Sequence, residues 1–256
     1  MIRELMKMIY PKKPLFPPSW RMVICIPSSI TEVEKRAVRD SAEQAGAKEV
    51  YMIHEPMAAA LGIGIDVEEP VGNMIIDIGG GTTGITVIAL AGIVCDQSIR
   101  IAGDEFTADI MESLRRYHSL LIGERTAEQI KIHVGAALKD LDNPPDDMPV
   151  NGRDLVTGIP KQIMVTYQEV AEALDKSIFK IEEAILKALE TTPPELASDI
   201  YRRGLYLTGG GALLRGLDKR LSQKIKFQIN SPVDTRNLTI LQKLNNHVQI
   251  NDENYQ

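Results

Sequence analysis

Cysteine is scarce in this sequence, which has only Cys25 and Cys95 among its 256 residues. The two are far apart and form no C-x-x-C pair, so neither a metal site nor a disulfide framework is indicated. Each lies inside an apolar run, which predicts two buried and reduced thiols.

Long apolar stretches and a basic surplus are missing as well. No stretch approaches the roughly 18 apolar residues of a membrane-spanning helix. The N-terminal stretch MIRELMKMIYPKKPLF lacks the uninterrupted apolar core and the small-residue cleavage site of a signal peptide, so we expect a cytosolic chain. Acidic residues outnumber basic ones, 35 against 29, and this net charge of −6 predicts no nucleic-acid partner.

Predicted strands and helices alternate along the chain, which indicates an α/β fold. The apolar, β-branched runs predict strands at 22–26, 50–53, 74–78, 84–90, 93–101 and 205–207. Helices are predicted at 31–44, 104–121, 126–138, 195–203 and 212–225, with a small alanine-rich helix after Glu55 and a long helix after Thr166. Capping boxes at Thr31-x-x-Glu34 and Thr166-x-x-Glu169 mark two of the helix starts.

The long helix after Thr166 has one apolar stripe with steps of three and four residues, which predicts that this face packs in the core. The stripe consists of Val170, Leu174, Ile178, Ile181, Ile185 and Leu189.

A glycine run in the stretch MIIDIGGGTTGITVIAL carries the first functional signal. Gly79-x-Gly81-x-x-Gly84 matches the spacing of a dinucleotide fingerprint, with Asp104 about 20 residues further on. That fingerprint requires a helix after the glycines, because the helix N-terminus holds the pyrophosphate. Here the β-branched run ITVIAL and a turn at Ala91-Gly92 follow. We therefore predict a hairpin and exclude the ribose role for Asp104.

A glycine hairpin can still bind phosphate, although the sequence has no G-x-x-x-x-G-K-[ST] loop. Consecutive glycines can point several N–H groups into one concavity, and Thr82 and Thr83 add hydroxyl donors. Asp77 ends a buried strand, where Mg²⁺ or its water shell is a natural partner. A plain glycine turn beside a hydrogen-bonded aspartate explains the same residues, so this motif alone leaves both interpretations open.

Three further features favour the phosphate interpretation. Thr208-Gly209-Gly210-Gly211-Ala212 is a second glycine run, placed between a strand and a helix so that its backbone can lie flat against a ligand. Glu128 and Lys131 share one helix face and could reach a ribose or base, although an ordinary surface ion pair has the same spacing. Glu55 lies at a strand-to-helix corner, where it could order a water molecule.

Together these segments resemble the actin-like ATPase superfamily and, within it, the bacterial MreB family of rod-shape-determining actin homologues. The superfamily motifs are IDIGGGTT, LTGGGALLRGLD, HEPMAAALGIG, IAGDEFTADI and GERTAEQIK. PSSITEVEKRAV, PPELASDI and TGGGALLRGLD narrow the resemblance to MreB, over about residues 21–226.

The resemblance implies an actin-like, ribonuclease-H-like α/β fold whose two domains flank a cleft for ATP and Mg²⁺. By motif, Gly80, Gly81 and Thr82 would contact the β- and γ-phosphates. Asp77 would hold Mg²⁺ through water, and Glu55 would position the attacking water with help from Thr82. The remaining residues of the implied nucleotide site are Gly79, Thr83, Glu128, Gln129, Ile130, Lys131, Gly209, Gly210, Gly211, Ala212 and Leu213.

The resemblance also implies filaments of this chain on the inner face of the cell membrane, with wall-elongation and membrane-anchored morphogenesis proteins as partners. Residues 21–70 would be the second half of domain I, and 71–225 most of domain II with an inserted subdomain at about 122–168. Residues 1–20 and 226–256 would be an irregular segment and a divergent polar tail.

This sequence departs from the family pattern in having one D-x-G-G hairpin, at Asp77, where the family has two phosphate clamps. We therefore expect a truncated family member with weak ATP binding, and the sequence does not decide whether it hydrolyses ATP. The alternative is another ATPase of the same fold, such as a sugar kinase or a chaperone-type ATPase.

Overall fold

The computed structural model describes residues 20–231 together with Glu4 and Met8, so most of the expected irregular segment 1–20 and the tail beyond residue 231 lie outside it. The strands are β1 Trp20–Ile26, β2 Ala47–His54, β3 Asn73–Ile78, β4 Thr83–Ala89, β5 Gly92–Ile99, β6 Leu120–Leu121, β7 Met148–Asp154, β8 Pro160–Val165, β9 Leu205–Thr208 and β10 Ile229–Asn230. The helices are α1 Glu32–Gln44, α2 Glu55–Ile63, α3 Gly103–His118, α4 Glu124–Val134, α5 Tyr167–Thr191, α6 Pro194–Arg203 and α7 Leu217–Ile225, with a 3₁₀ turn at Gly210–Leu213. In this part of the chain, no helix has the length and apolar character needed to cross a membrane.

A mixed five-stranded sheet lies at the centre, in the order β10-β9-β3-β4-β5. Strand β3 pairs antiparallel with β4 and parallel with β9, so the loops that follow β3 and β9 leave the same edge of the sheet. Strands β1 and β2 form a separate parallel pair, joined through α1. Strands β6, β7 and β8 form a small antiparallel sheet.

The two faces of the central sheet pack against different helices. One face packs on α3, α4, α5 and α7, around fully buried side chains such as Ile76, Phe106 and Ile110. The predicted stripe of α5 is confirmed. Its first five residues are buried in this core and the sixth, Leu189, is partly buried at the margin. On the other face, α2 lies against β3 and β4 through Ala60, whose small side chain permits close approach.

The two helix starts marked by capping boxes and the glycine hairpin are confirmed. Both capping boxes form, with Thr31 and Glu34, and Thr166 and Glu169, exchanging side-chain and backbone hydrogen bonds. Such a cap satisfies N–H groups that have no partner inside the helix.

Helix ends were predicted less well. The helix expected to reach residue 121 ends at His118, because Ser119 is left-handed and the chain then enters β6. The helix expected at 126–138 spans 124–134, because Gly135 is extended. The helix expected at 212–225 is interrupted: Gly216 is left-handed with φ 74°, and it separates the 3₁₀ turn from α7.

The prediction of two buried thiols was wrong. Cys25 is exposed and Cys95 is half-buried. Both apolar runs are strands with alternating exposure, so an apolar neighbourhood in sequence does not bury every side chain. The turn between β4 and β5 also lies one residue earlier than expected, at Leu90 and Ala91, which both have positive φ. The domain limits remain predictions.

Candidate functional site

The first glycine run forms a hairpin turn. Ile78 pairs with Thr83 across the antiparallel strands, and the Gly79 N–H donates to the Thr82 carbonyl at 3.0 Å. Strand β4 follows the glycines, so the helix that a dinucleotide fingerprint requires is absent at this position.

The first turn of α3 holds this hairpin in place. The Gly103 N–H donates to the Gly79 carbonyl at 3.1 Å, and the Asp104 N–H donates to the Gly80 carbonyl at 2.7 Å. These are amide donors at the helix start, which have no partner within the helix. The hairpin backbone is therefore fixed by two hydrogen bonds from an element that packs in the core.

The second glycine run lies beside the first because β9 pairs with β3, with Thr208 opposite Asp77. Gly209 has φ 86°, and a Cβ there would clash with the Asp77 carboxylate and the Ile78 carbonyl. A Cβ on Gly211 would clash with the Ile78 side chain. Both positions require glycine, and the close approach brings the two loops together.

A polar cluster on α3 and α4 forms the facing wall. Lys131 Nζ lies 2.6 Å from Glu128 Oε2 and donates to the Gly103 carbonyl at 2.8 Å. The Thr107 hydroxyl donates to Glu128 at 2.8 Å. The lysine and threonine contacts lower the pKa of Glu128 against the opposing effect of partial burial. The ion pair thus belongs to a network and is not an isolated surface pair.

These elements enclose a cleft of about 530 Å³, a size suited to a small-molecule ligand. Its lining residues are Gly79, Gly80, Gly103, Asp104, Phe106, Glu128, Lys131, Ile132, Gly210, Gly211, Leu213, Leu214 and Arg215. The lining thus combines glycine backbone, charged groups and apolar side chains.

Two carboxylates lie next to the hairpin. Burial raises the pKa of Asp77, and the negative charge of Glu55 at the start of α2 raises it further. A divalent cation would offset both effects, and carboxylate oxygens are suitable ligands for Mg²⁺. The described residues contain no group of three acidic, histidine or cysteine side chains that could hold a metal ion. A cation at Asp77 would therefore need phosphate or water for most of its ligands.

A model of the MreB/Mbl protein family matches residues 1–246. The chain belongs to this family. It is 46% identical over 217 residues to the cell shape-determining protein Mbl of Bacillus subtilis, covering 84% of this chain and 65% of that protein. It is 49% identical over 210 residues to the cell shape-determining protein MreB of Escherichia coli, covering 81% of this chain and 59% of that protein. The chain thus spans less than two thirds of the length of these relatives.

A solved structure confirms the expected actin-like fold. MreB5 of Spiroplasma citri, bound to AMPPNP, superposes with a TM-score of 0.90 at 35% identity, covering 98% of this chain and 76% of that one. The family that matches is MreB/Mbl, whereas the alternative was a sugar kinase or a chaperone-type ATPase.

The structure brings about half of the predicted nucleotide-site residues of this family member into the cleft wall: Gly79, Gly80, Glu128, Lys131, Gly210, Gly211 and Leu213. Gly81 and Thr82 are exposed on the same hairpin turn. Gly209 and Ala212 belong to the second glycine run but do not line the cleft, and Asp77 lies against Gly209.

Three predicted site residues lie elsewhere. Thr83 is fully buried, and its hydroxyl donates to the Ile101 carbonyl at 2.6 Å. Ile130 belongs to the core, and Gln129 is exposed on the outer side of α4.

Several cleft residues were not predicted as site residues. Gly103 and Asp104 lie within the motif IAGDEFTADI, and Arg215 within TGGGALLRGLD, so both motifs pointed to the region. For Asp104, the spacing of the glycine motif suggested only a contact with a ribose. The contact of these residues with the cleft depends on position in the fold. The first turn of α3 follows strands β4 and β5 and returns to the hairpin between β3 and β4.

Proposed function

We propose that this chain is an ATP-binding, actin-like filament protein that helps to determine rod cell shape by organising cell-wall synthesis. The observation that carries the proposal is the cleft formed by two glycine loops and the Lys131–Glu128 pair. The AMPPNP-bound MreB5 relative, at 35% identity, supports a nucleotide as its ligand.

The glycine hairpin would bind the phosphates. Gly80, Gly81 and Thr82 are exposed on a turn that α3 fixes, so their N–H groups would meet the β- and γ-phosphates with little ordering cost. Gly210 and Gly211 would cover the nucleotide from the opposite loop. Glu128 and Lys131 would contact the adenosine.

Asp77 and Glu55 would divide the chemical roles. Asp77 would hold Mg²⁺ through water, and the cation would supply charge neutralisation at the phosphates. Glu55 would accept a hydrogen bond from the attacking water, and the Thr82 hydroxyl would help to orient it. The proposal includes the hydrolysis of ATP by these residues.

The proposal also covers the partners of this chain, which are other copies of itself, the membrane and the wall-elongation proteins. Relatives of 46–49% identity bear the name cell shape-determining protein, which supports a role in morphogenesis. We propose that this chain forms filaments on the inner face of the cell membrane, where they contact membrane-anchored morphogenesis proteins. We do not expect a nucleic-acid partner. With one D-x-G-G hairpin, we expect ATP affinity weaker than micromolar.

Nuclear magnetic resonance titration of the full chain with ATP and Mg²⁺ tests the site. We expect the largest amide shifts at Gly80, Lys131 and Gly210. Shifts confined to other surfaces, or none at millimolar ATP, would overturn nucleotide binding here. Sedimentation with and without ATP and Mg²⁺ tests the filaments, and nucleotide-dependent pelleting is the expected result.

A further inference from the structure

Asp104 places a carboxylate at the phosphate end of the cleft, which is an unexpected charge for that position. Its Oδ1 and Oδ2 lie 3.6 and 3.8 Å from the place a Cβ of Gly80 would occupy, and Oδ2 lies 3.7 Å from that of Gly81. The hydrogen bond from its own N–H to the Gly80 carbonyl fixes the residue against the turn.

The described ion pairs include none with Asp104. Lys131, a cation of the cleft lining, is already held by Glu128, Thr107 and the Gly103 carbonyl. The negative charge of Asp104 therefore acts on whatever occupies the space beside the glycines.

The rest of the site adds to this negative character. Around the two glycine loops, the described charged side chains are the carboxylates Glu55, Asp77, Asp104 and Glu128 and the cations Lys131 and Arg215. The Arg215 guanidinium donates to the Ile132 carbonyl at 3.3 Å. A free polyphosphate would thus meet like charge at the hairpin, and the two would repel each other.

We propose that Asp104 is a specificity-determining residue that makes the cleft reject free polyphosphate and accept only polyphosphate complexed with a divalent cation. The cation cancels part of the negative charge of the polyphosphate, so the Asp104 carboxylate repels the complex much less than the free ligand. Asp104 does not ligate the metal in this scheme. The inference rests on the proposed nucleotide site and adds its charge selectivity.

The test compares dissociation constants for ATP and for inorganic tripolyphosphate, each in excess Mg²⁺ and in EDTA, by nuclear magnetic resonance titration of the full chain. For Asp104→Asn we expect the EDTA dissociation constants to fall about tenfold, a size consistent with removal of one nearby charge. The Mg²⁺ constants should change less than about threefold.

Glu105→Gln is the matched control, because it removes one charge from the same exposed helix turn but does not line the cleft. We expect it to leave both constants unchanged. Asp104→Ser is a second variant in case the asparagine perturbs folding, and amide dispersion reports on the fold of each.

Each outcome has one meaning. An unchanged ratio of EDTA to Mg²⁺ constants in Asp104→Asn and Asp104→Ser overturns the role of Asp104. A large loss of Mg²⁺-dependent affinity overturns it too, since the carboxylate would then hold the cation. If the wild type binds neither ligand in either buffer, the proposed nucleotide site itself is wrong, and the inference falls with it.

Discussion

Arg220 Nε lies 2.7 Å from Glu182 Oε1, and the side chain of Glu182 is only 4% exposed. The same guanidinium pairs with Asp175 at 2.8 Å and donates to the Ala137 carbonyl at 3.1 Å. One side chain on α7 thereby links the long helix α5 to the segment that follows α4. The same segment is also bonded to the residues between the 3₁₀ turn and α7, because the Ala137 N–H donates to the Arg215 carbonyl.

Removing Arg220 should destabilise the chain strongly. Arg220→Ala leaves Glu182 as a buried carboxylate without its partner, which costs about 3–5 kcal/mol in the free energy of unfolding. Chemical denaturation measures it. Arg202→Ala is the control, because its pair with Asp199 is 71% exposed on the arginine side and should matter by less than about 1 kcal/mol. Equal losses in the two variants would contradict this account.

Lys131→Met should weaken ATP binding by about tenfold or more, because it removes a charge-assisted donor and leaves Glu128 facing the ligand unpaired. The measurement is an ATP titration in excess Mg²⁺. Lys139→Met breaks an exposed pair with Glu172 outside the cleft and should leave affinity unchanged. An equal effect of the two substitutions would show that the lysine acts through overall charge.

Asp77→Asn should change how stability depends on pH. The folded state raises the pKa of Asp77, so above the ordinary pKa of aspartate the folded chain binds more protons than the unfolded chain. The stability contributed by this group is therefore full below that ordinary pKa and falls as pH rises through the raised value.

The variant should consequently have a higher Tm than the wild type at neutral pH, and the difference should shrink in acid. Thermal melts without metal or nucleotide, over a series of pH values, measure it. Asp40→Asn, at an exposed site on α1, should have no such effect. A Tm difference that is independent of pH would exclude the titration of Asp77 as its cause.

Ala91→Gly should stabilise the turn between β4 and β5. Leu90 and Ala91 have φ 51° and 55°, a region that costs residues with a Cβ about 1–2 kcal/mol. Glycine there should raise the free energy of unfolding by up to about 1 kcal/mol, despite its greater freedom in the unfolded chain. Ala173→Gly, within α5, should lower it by about 0.5–1 kcal/mol.

The sequence predicted strands β3, β4, β5 and β9 and the stripe of α5 because these follow from local composition and periodicity. Strand β10 was not predicted, since it lies where a polar tail was expected and is defined by its pairing with β9. Two helix starts were predictable since each capping box is complete within four residues. The helix end at Ser119 was not, because a left-handed serine can end a helix without a glycine or proline. The end at Gly135 did have a local signal, since glycine commonly follows the last helical residue, and the predicted helix ran past it. The exposure of Cys25 depends on which strands neighbour β1, and no local pattern contains that.

The cleft was predictable in outline and not in its charge. Two glycine runs and the Glu128–Lys131 spacing indicated a phosphate site from residue types alone. The position of Asp104 against Gly80 depends on α3 returning across the sheet to the hairpin, which is a tertiary relationship. The burial that raises the pKa of Asp77 has the same origin.

The pairing of β3 with β9 also has a consequence for biosynthesis. Asp77 and Thr208 are neighbours in the sheet, yet almost all of the helical core is translated between them. Contacts so distant in sequence carry a loop-closure cost and slow folding. The glycine hairpin therefore leaves the ribosome long before the opposing loop exists, so a ligand that needs both loops cannot bind before β9 is made. Until then the edge of β3 that pairs with β9 is open, and open strand edges promote aggregation.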